Sequence, residues 1–235
     1  MRATSVFVGF LTCPPGHHDA FLDWHEKDHR PENHGTIEHI YHSARFIAPP
    51  AAVPRRELGP NQRFADAGQY VMTYWSSAAP ARLLEDMTVL REHLQAAGRC
   101  EPINRDFRAV WRGRLRVVEA DASPLHLASP DAAPFAPHDA LVVTVGRHAV
   151  DGRQGERRCG LASPMSLFED DRFTAAFALT STDAAERSLV VHLHYALGPP
   201  DEAQAAVRAH AQPGLEMVFR GVYVPQYAGQ PRFYV

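Results

Sequence analysis

Lysine and cysteine are both scarce in this chain of 235 residues: Lys27 is the single lysine, and Cys13, Cys100 and Cys159 are the three cysteines. Each scarcity excludes something. Schiff-base chemistry on an amine has one candidate side chain. The cysteines are widely spaced and odd in number, and no C-x-x-C occurs, so neither a zinc ribbon nor a thioredoxin-type motif is present. Unpaired thiols in a reducing compartment are the expectation. The apolar run before Pro14-Pro15 is too short to span a bilayer and alternates as a strand does, so no secretion signal or membrane span is read there and the cytoplasm is the expected location. A net charge of −3 gives no basic field to attract nucleic acid or a membrane surface. No P-loop or G-x-G-x-x-G is found, so a nucleotide is not implied.

Histidine is what the chain has in quantity, and it is unevenly placed. Of 14 His, those at 25, 29, 34, 39 and 42 fall between Asp19 and Phe46, with His17 and His18 just ahead. A strand over Val6–Leu11 ends at Pro14-Pro15-Gly16, and a helix is expected from His18 or Asp19. Phe21, Leu22, His25 and His29 recur at helical spacing on its buried side. Pro31 disfavours the α region at Arg30, so the helix is expected to end near His29. A strand over Ile37–Ile47 follows, with Ile40, His42, Ala44 and Phe46 on one face and Tyr41, Ser43 and Arg45 on the other.

Residues 48–68 read as a long Pro-rich loop, either a rim over a site or a disordered segment. A strand over Tyr70–Trp75, a helix from Pro80 to Gly98 with Leu83, Met87, Leu90 and Leu94 buried, and a strand over Phe107–Val118 complete a βαββαβ order. Arg108, Arg112, Arg114 and Arg116 share a face of that last strand and read as a solvated or edge face rather than as an anion site. Residues 121–138 carry no periodicity and read as a linker. The second half repeats the order imperfectly: strands over Leu141–Val145, Phe173–Thr180 and Leu189–Leu197, a helix over Asp201–Ala211 and a strand over Met217–Val224. Its first helix is expected to be missing or irregular, because residues 152–168 are rich in glycine. The fold class expected is therefore α+β, with two tandem βαββαβ units over 1–120 and 139–235.

The pattern W-x-x-x-D-H-x-P-E, carried by Trp24, Asp28, His29, Pro31 and Glu32, followed by a strand holding Ala44-Arg45-Phe46, resembles the dimeric α/β-barrel superfamily and its EthD-like branch. The resemblance implies ferredoxin-like units facing each other, here within one chain as an intrachain α/β barrel with a degenerate second unit. It implies a cavity bordered by the Trp-and-His helix. Members include cyclases, decarboxylases, small monooxygenases and haem-binding enzymes, so fold does not decide reaction.

His29 and His25 are the candidate proton-transfer groups, with Asp28 beside them and the helix end expected to help protonate His29 against the opposing effect of burial, leaving it close to neutrality. Phe21, Trp24, Tyr41, Arg45, Tyr74, Trp111, His192 and His194 are the candidate substrate-binding residues. His192 and His194 share one face of a strand: if they point into the barrel they form a second wall of the same cavity or a metal pair, and otherwise they lie on an exposed sheet face. H-E-K-D-H matches the zincin spacing formally, and His25 and His29 at i, i+4 are a possible metal pair with Glu32, but Pro31 is expected to stop the helix that a zincin needs. The leading expectation is a cofactor-independent cyclase, isomerase, dehydratase or decarboxylase of secondary metabolism, a lyase- or isomerase-type enzyme acting on a partly aromatic metabolite. The alternatives are a haem- or metal-dependent oxidoreductase and a non-catalytic metabolite-binding protein. A monomer or homodimer with a small-molecule partner is expected.

Overall fold

A computed structural model of the chain describes residues 2–60, 62, 64–66, 68–99, 107–148, 167–210 and 214–226. Nine strands are found among them: β1 (Ser5–Thr12), β2 (Ile40–Ile47), β3 (Glu57–Leu58), β4 (Tyr70–Ser76), β5 (Arg108–Ala122), β6 (Ala140–His148), β7 (Phe173–Ser181), β8 (Leu189–Ala196) and β9 (Leu215–Pro225). Pairing runs β2-β4-β1-β5-β7-β8-β6-β9, all antiparallel, and β9 returns to β2 through Phe46↔Pro225 and Ile47↔Val224. The sheet is thus a closed eight-stranded barrel, with β3 attached to the far end of β9. In each half the strands lie side by side in the order second, third, first, fourth.

One strand joins the halves. The first part of β5 pairs with β1, from Thr12↔Arg108 to Ser5↔Arg116, and its second part pairs with β7, from Leu115↔Ser181 to Ala122↔Ala175. β5 therefore runs into the stretch expected to be a linker, of which 123–138 remains as turns and a short 3₁₀ helix over Pro130–Phe135.

Alternation of side chains across the strands makes two kinds of core. Val6, Val8, Phe10, Phe46, Trp75, Leu141, Val143, Phe177, Leu193 and Tyr195 fill the barrel interior. Phe21, Leu22, Met72, Tyr74, Leu83, Leu90 and Leu94 pack the outer face of the first half under its helices. Ala140, Val142, Ala176, Ala178, Ala203 and Val207 do the same in the second half. The segment read as a Pro-rich loop folds onto the barrel: Gly59 N–H donates to Val218 O at 2.8 Å, and Phe64 is fully buried against Phe10 and Trp111.

The helices are α1 (His18–Trp24), a π-helical turn over His25–His29, α2 (Arg30–Thr36), α3 (Pro80–Ala96) and α4 (Pro200–Ala209). The expected stop at Pro31 is corrected. Arg30 N–H reaches back to His25 O, an i→i−5 bond, and the widened turn makes room for a ring that an α-turn would clash with. Pro31 then sits in the first turn of α2, where its missing N–H costs no bond. The expected faces of β2 are also revised: a register shift between Ile40 and His42 puts Ile40 on the same side as Ile47, under the helices. The irregular helix expected in the second half lies for the most part outside the described residues, as do Cys100 and Cys159; Cys13 is buried.

Gly113 tests the barrel packing. A Cβ there would sit 2.1 Å from the Trp111 ring, inside the barrel. Gly113→Ala is expected to lower stability by about 1–3 kcal/mol through overpacking, read as a lower urea midpoint with unchanged m-value.

Candidate functional site between the first helices and the sheet

A cavity of about 160 Å³ lies between the outer face of β1, β4 and β5 and the cover formed by α1, the π turn, α2 and α3. Its walls are chiefly apolar: Phe7, Leu11, Phe21, Trp24, Met72, Met87, Leu90, Leu94 and Phe107. Its polar lining among the described residues is His29, Asn33, Tyr74, Thr88, Arg91, Arg112 and Arg114, with no carboxylate among them.

The π turn brings His25 and His29 to the inner side of the cover with ring centroids 5.9 Å apart. Their surroundings differ. His25 is fully enclosed, with Nδ1 2.9 Å from Arg45 Nη1 and Nε2 3.1 Å from the Tyr74 hydroxyl. A guanidinium only donates, so His25 Nδ1 is the acceptor and Nε2–H donates to Tyr74 Oη. Arg45 is itself buried and sits 3.4 Å from Glu26 Oε2, while Arg30 holds Glu26 Oε1 at 3.0 Å. Burial first, then the Arg45 guanidinium, holds the His25 imidazole well below its usual range.

His29 stacks on Trp24, centroids 4.5 Å apart and planes 20° apart. Its pKa is pushed down to about 4, by burial first and by the Arg112 charge second. The helix end that was expected to protonate it does not exist, because the helix continues through Arg30 into α2. Nδ1 of His29 and the indole N–H of Trp24 are buried without a hydrogen-bond partner among the described residues.

Not all expected site residues meet here. Phe21, Trp24, His29 and Tyr74 line the cavity; His25 and Arg45 stand directly behind Tyr74. Asp28 turns away and pairs with Arg99, which also pairs with Glu32 and ties the end of α3 to the cover. Tyr41 packs against the barrel core and stacks on Phe135, at 6.0 Å. Trp111 fills the barrel interior and donates Nε1–H to Glu186 Oε2 at 3.1 Å. His192 and His194 do not form a second wall of this cavity. Val191, Leu193 and Tyr195 take the barrel interior, so alternation turns both His outward onto the helix-covered face of the second half. His194 is buried there, with its pKa near 4 because burial outweighs its contact with the Val142 backbone. Sequence reasoning missed Phe7, Phe107, Arg91, Arg112 and Arg114. The arginine alternation on β5 was the signal: Arg108, Arg112 and Arg116 are exposed, as a solvated face implies, while Arg112 and Arg114 also border the cavity. Among the described residues no group of three His, Cys, Asp or Glu is placed to hold a metal, and no helix is long and apolar enough to cross a membrane.

Neither a protein-family model nor a curated protein matches the sequence. Solved structures share the fold. A putative chlorite dismutase aligns with a TM-score of 0.57 at 10% identity, over 97% of this chain and 97% of its own. An encapsulated DyP-type peroxidase from Mycobacterium smegmatis gives 0.58 at 11% identity, over 96% and 94%, and a dye-decolorizing protein from V. cholerae gives 0.55 at 10%, over 96% and 95%. The chain is an α/β barrel of the kind these proteins have. Those likenesses correct the leading functional expectation: the barrel is shared with a dismutase and a peroxidase, so the cofactor-independent cyclase of lyase or isomerase type in secondary metabolism has no support.

Two predictions follow from the buried imidazoles. Imidazole NMR resonances of His29 are expected to titrate near pH 4 rather than 6.5. His29, His42 and His194 are all held near 4 when folded and return to about 6.5 when unfolded, so the stability they contribute is complete above pH 6.5 and is lost as pH falls toward 4. Urea midpoints measured across that window should drop. Tyr74→Phe removes the acceptor of His25 Nε2–H and is expected to cost about 1–3 kcal/mol, read by thermal or urea unfolding.

Proposed function

We propose that this chain is a haem- or metal-dependent oxidoreductase, built as two tandem ferredoxin-like units over 1–120 and 139–235 joined by 121–138. The repeated strand order supports the tandem units. Trp24, Asp28, His29, Pro31 and Glu32 carry the likeness of the first unit to the EthD-like branch. The full-length match to a putative chlorite dismutase and to peroxidases supports the redox reading.

A haem does not fit the first-half cavity. About 160 Å³ is the space of a single aromatic ring, since a cavity of about 150 Å³ holds benzene. Both nitrogens of His25 are engaged as well. The reading turns instead to the outer face of the second half, and one observation carries it: His194 has a buried Nδ1 with no hydrogen-bond partner among the described residues. A neutral imidazole nitrogen in a low-dielectric setting is a good iron donor. Iron held there would supply electron transfer from a reductant to an oxidant. The chain would contribute His194 as the donor and Arg220 as a fixed positive charge, pinned by Thr144 Oγ1 at 3.2 Å and Glu57 Oε2 at 3.0 Å. Ala176, Ala178 and Ala203 keep side chains short on that face.

Reconstitution with haem tests this. The expected result is a Soret band in the intact chain, lost in His194→Ala and kept in His29→Phe. Protein that takes up neither haem nor a transition metal, by absorption and by elemental analysis, sinks the proposal.

Binding without turnover is a second reading, and it belongs to the first-half cavity. Among the described residues the cavity has no carboxylate in its lining and its imidazole is neutral, so these residues offer hydrogen-bond donors and positive charge but no general acid.

A further inference from the structure

We infer that the first-half cavity binds a one-ring aromatic carboxylate, its ring among Phe21, Tyr74 and Phe107 and its carboxylate on His29 Nδ1–H and Arg112. The inference rests on the second reading above and names the ligand class of that cavity.

The direction of each hydrogen bond supports it. Asn33 Nδ2 donates to His29 O at 2.7 Å, which fixes the amide, because a carbonyl oxygen only accepts. The same Nδ2 stands 3.4 Å from His29 Nε2, so that nitrogen faces a donor and carries no proton. The proton of the neutral ring is therefore on Nδ1, which is buried and has no acceptor among the described residues. A buried donor left unmade costs about 1–3 kcal/mol, and a ligand acceptor would recover it.

Tyr74 tells the same story. Arg45 donates to His25 Nδ1, His25 Nε2–H donates to Tyr74 Oη, and the phenol hydrogen is left to donate elsewhere. The chain of donors starts at a buried guanidinium and ends at a residue of the cavity wall. Arg112 adds charge. Its guanidinium is crowded by Arg91 and Arg114, which also line the cavity, and it makes no ion pair with a described residue. Donors and cations converge on a cavity whose lining holds no carboxylate among the described residues. The partner that such a set of donors favours is an anion.

Size and wall chemistry narrow the anion. The aromatic and Met/Leu walls favour a flat apolar body, and the volume of about 160 Å³ limits it to one ring. A planar carboxylate offers two oxygens to two separate donors and suits bidentate contact with a guanidinium.

Calorimetry on the intact chain, without added haem, tests the inference with benzoate, benzyl alcohol and acetate. Benzoate is expected to bind at least about tenfold tighter than either, because charge-assisted bonds and ring burial are both required. Arg112→Gln, at an exposed position on β5, should reduce benzoate to the level of benzyl alcohol, and His29→Phe should do so while keeping the ring stacked on Trp24. Should His29→Phe fail to fold, Arg112→Gln carries the test alone. His194→Ala should leave benzoate binding unchanged, so loss of the haem reading and loss of this one are separately visible. Equal affinity for benzoate and benzyl alcohol, equal affinity for benzoate and acetate, or full benzoate binding by Arg112→Gln overturns the inference.

Discussion

A guanidinium buried beneath a helix sets the polarity of the candidate site. Arg45 is only 4% exposed, and a charge so placed is costly unless it is paired and hydrogen-bonded. Glu26 supplies the counter-charge from the π turn, and Arg30 steadies that carboxylate from the next turn. His25 accepts a bond from Arg45 Nη1, which fixes the imidazole tautomer and so decides which way the proton of Tyr74 can point. A change at Arg45 would therefore be felt at Tyr74, although the two side chains have no direct hydrogen bond between them.

The local backbone serves this arrangement. The bulge near the start of β2 turns Ser43 and Arg45 to the helix side, where Ser43 receives Arg30 Nε at 2.9 Å and His34 lies 2.7 Å from its hydroxyl. The π turn moves His29 onto Trp24 and lets the cover continue past Pro31, so that Asn33 and Glu32 exist as helical residues facing His29 and Arg99. π-helical turns cost backbone geometry and concentrate where function needs an unusual side-chain placement.

Much of the scaffold was legible in the sequence. β1, β4, α3 and β8 carry strong periodicity and clear breakers, and the expected spans differ from the observed ones by a few residues at most. The His25/His29 face was legible for the same reason. What failed did so where a local rule met a longer-range one. Pro31 reads as a stop because propensity knows nothing of a π turn. The faces of β2 could not be read because a bulge breaks alternation without marking the sequence. The side of β8 that His192 and His194 take could not be read, since alternation identifies two faces but only the closed barrel says which is inside. Arg108, Arg112 and Arg116 of β5 are exposed, as a solvated face implies, but that Arg112 and Arg114 also border a cavity depends on α3, which sequence alone does not dock. The donor-only character of the cavity depends on bond directions across three elements and leaves no trace in any one of them.

Closure through β9 has a consequence for how the chain is made. The edge of β2 is partnered by residues near 225, and the free side of β5 by β7, so the first half cannot satisfy either edge by itself. During synthesis it would stand with two unpaired strand edges until the last strand has emerged. Pairing of strands so distant in sequence is slow, because the intervening loop entropy is lost before the contacts form. The Pro-rich excursion that carries β3 packs across the end of β9 and cannot settle before it either. A nascent chain of this design has reason to depend on a holdase or on rapid translation of its second half.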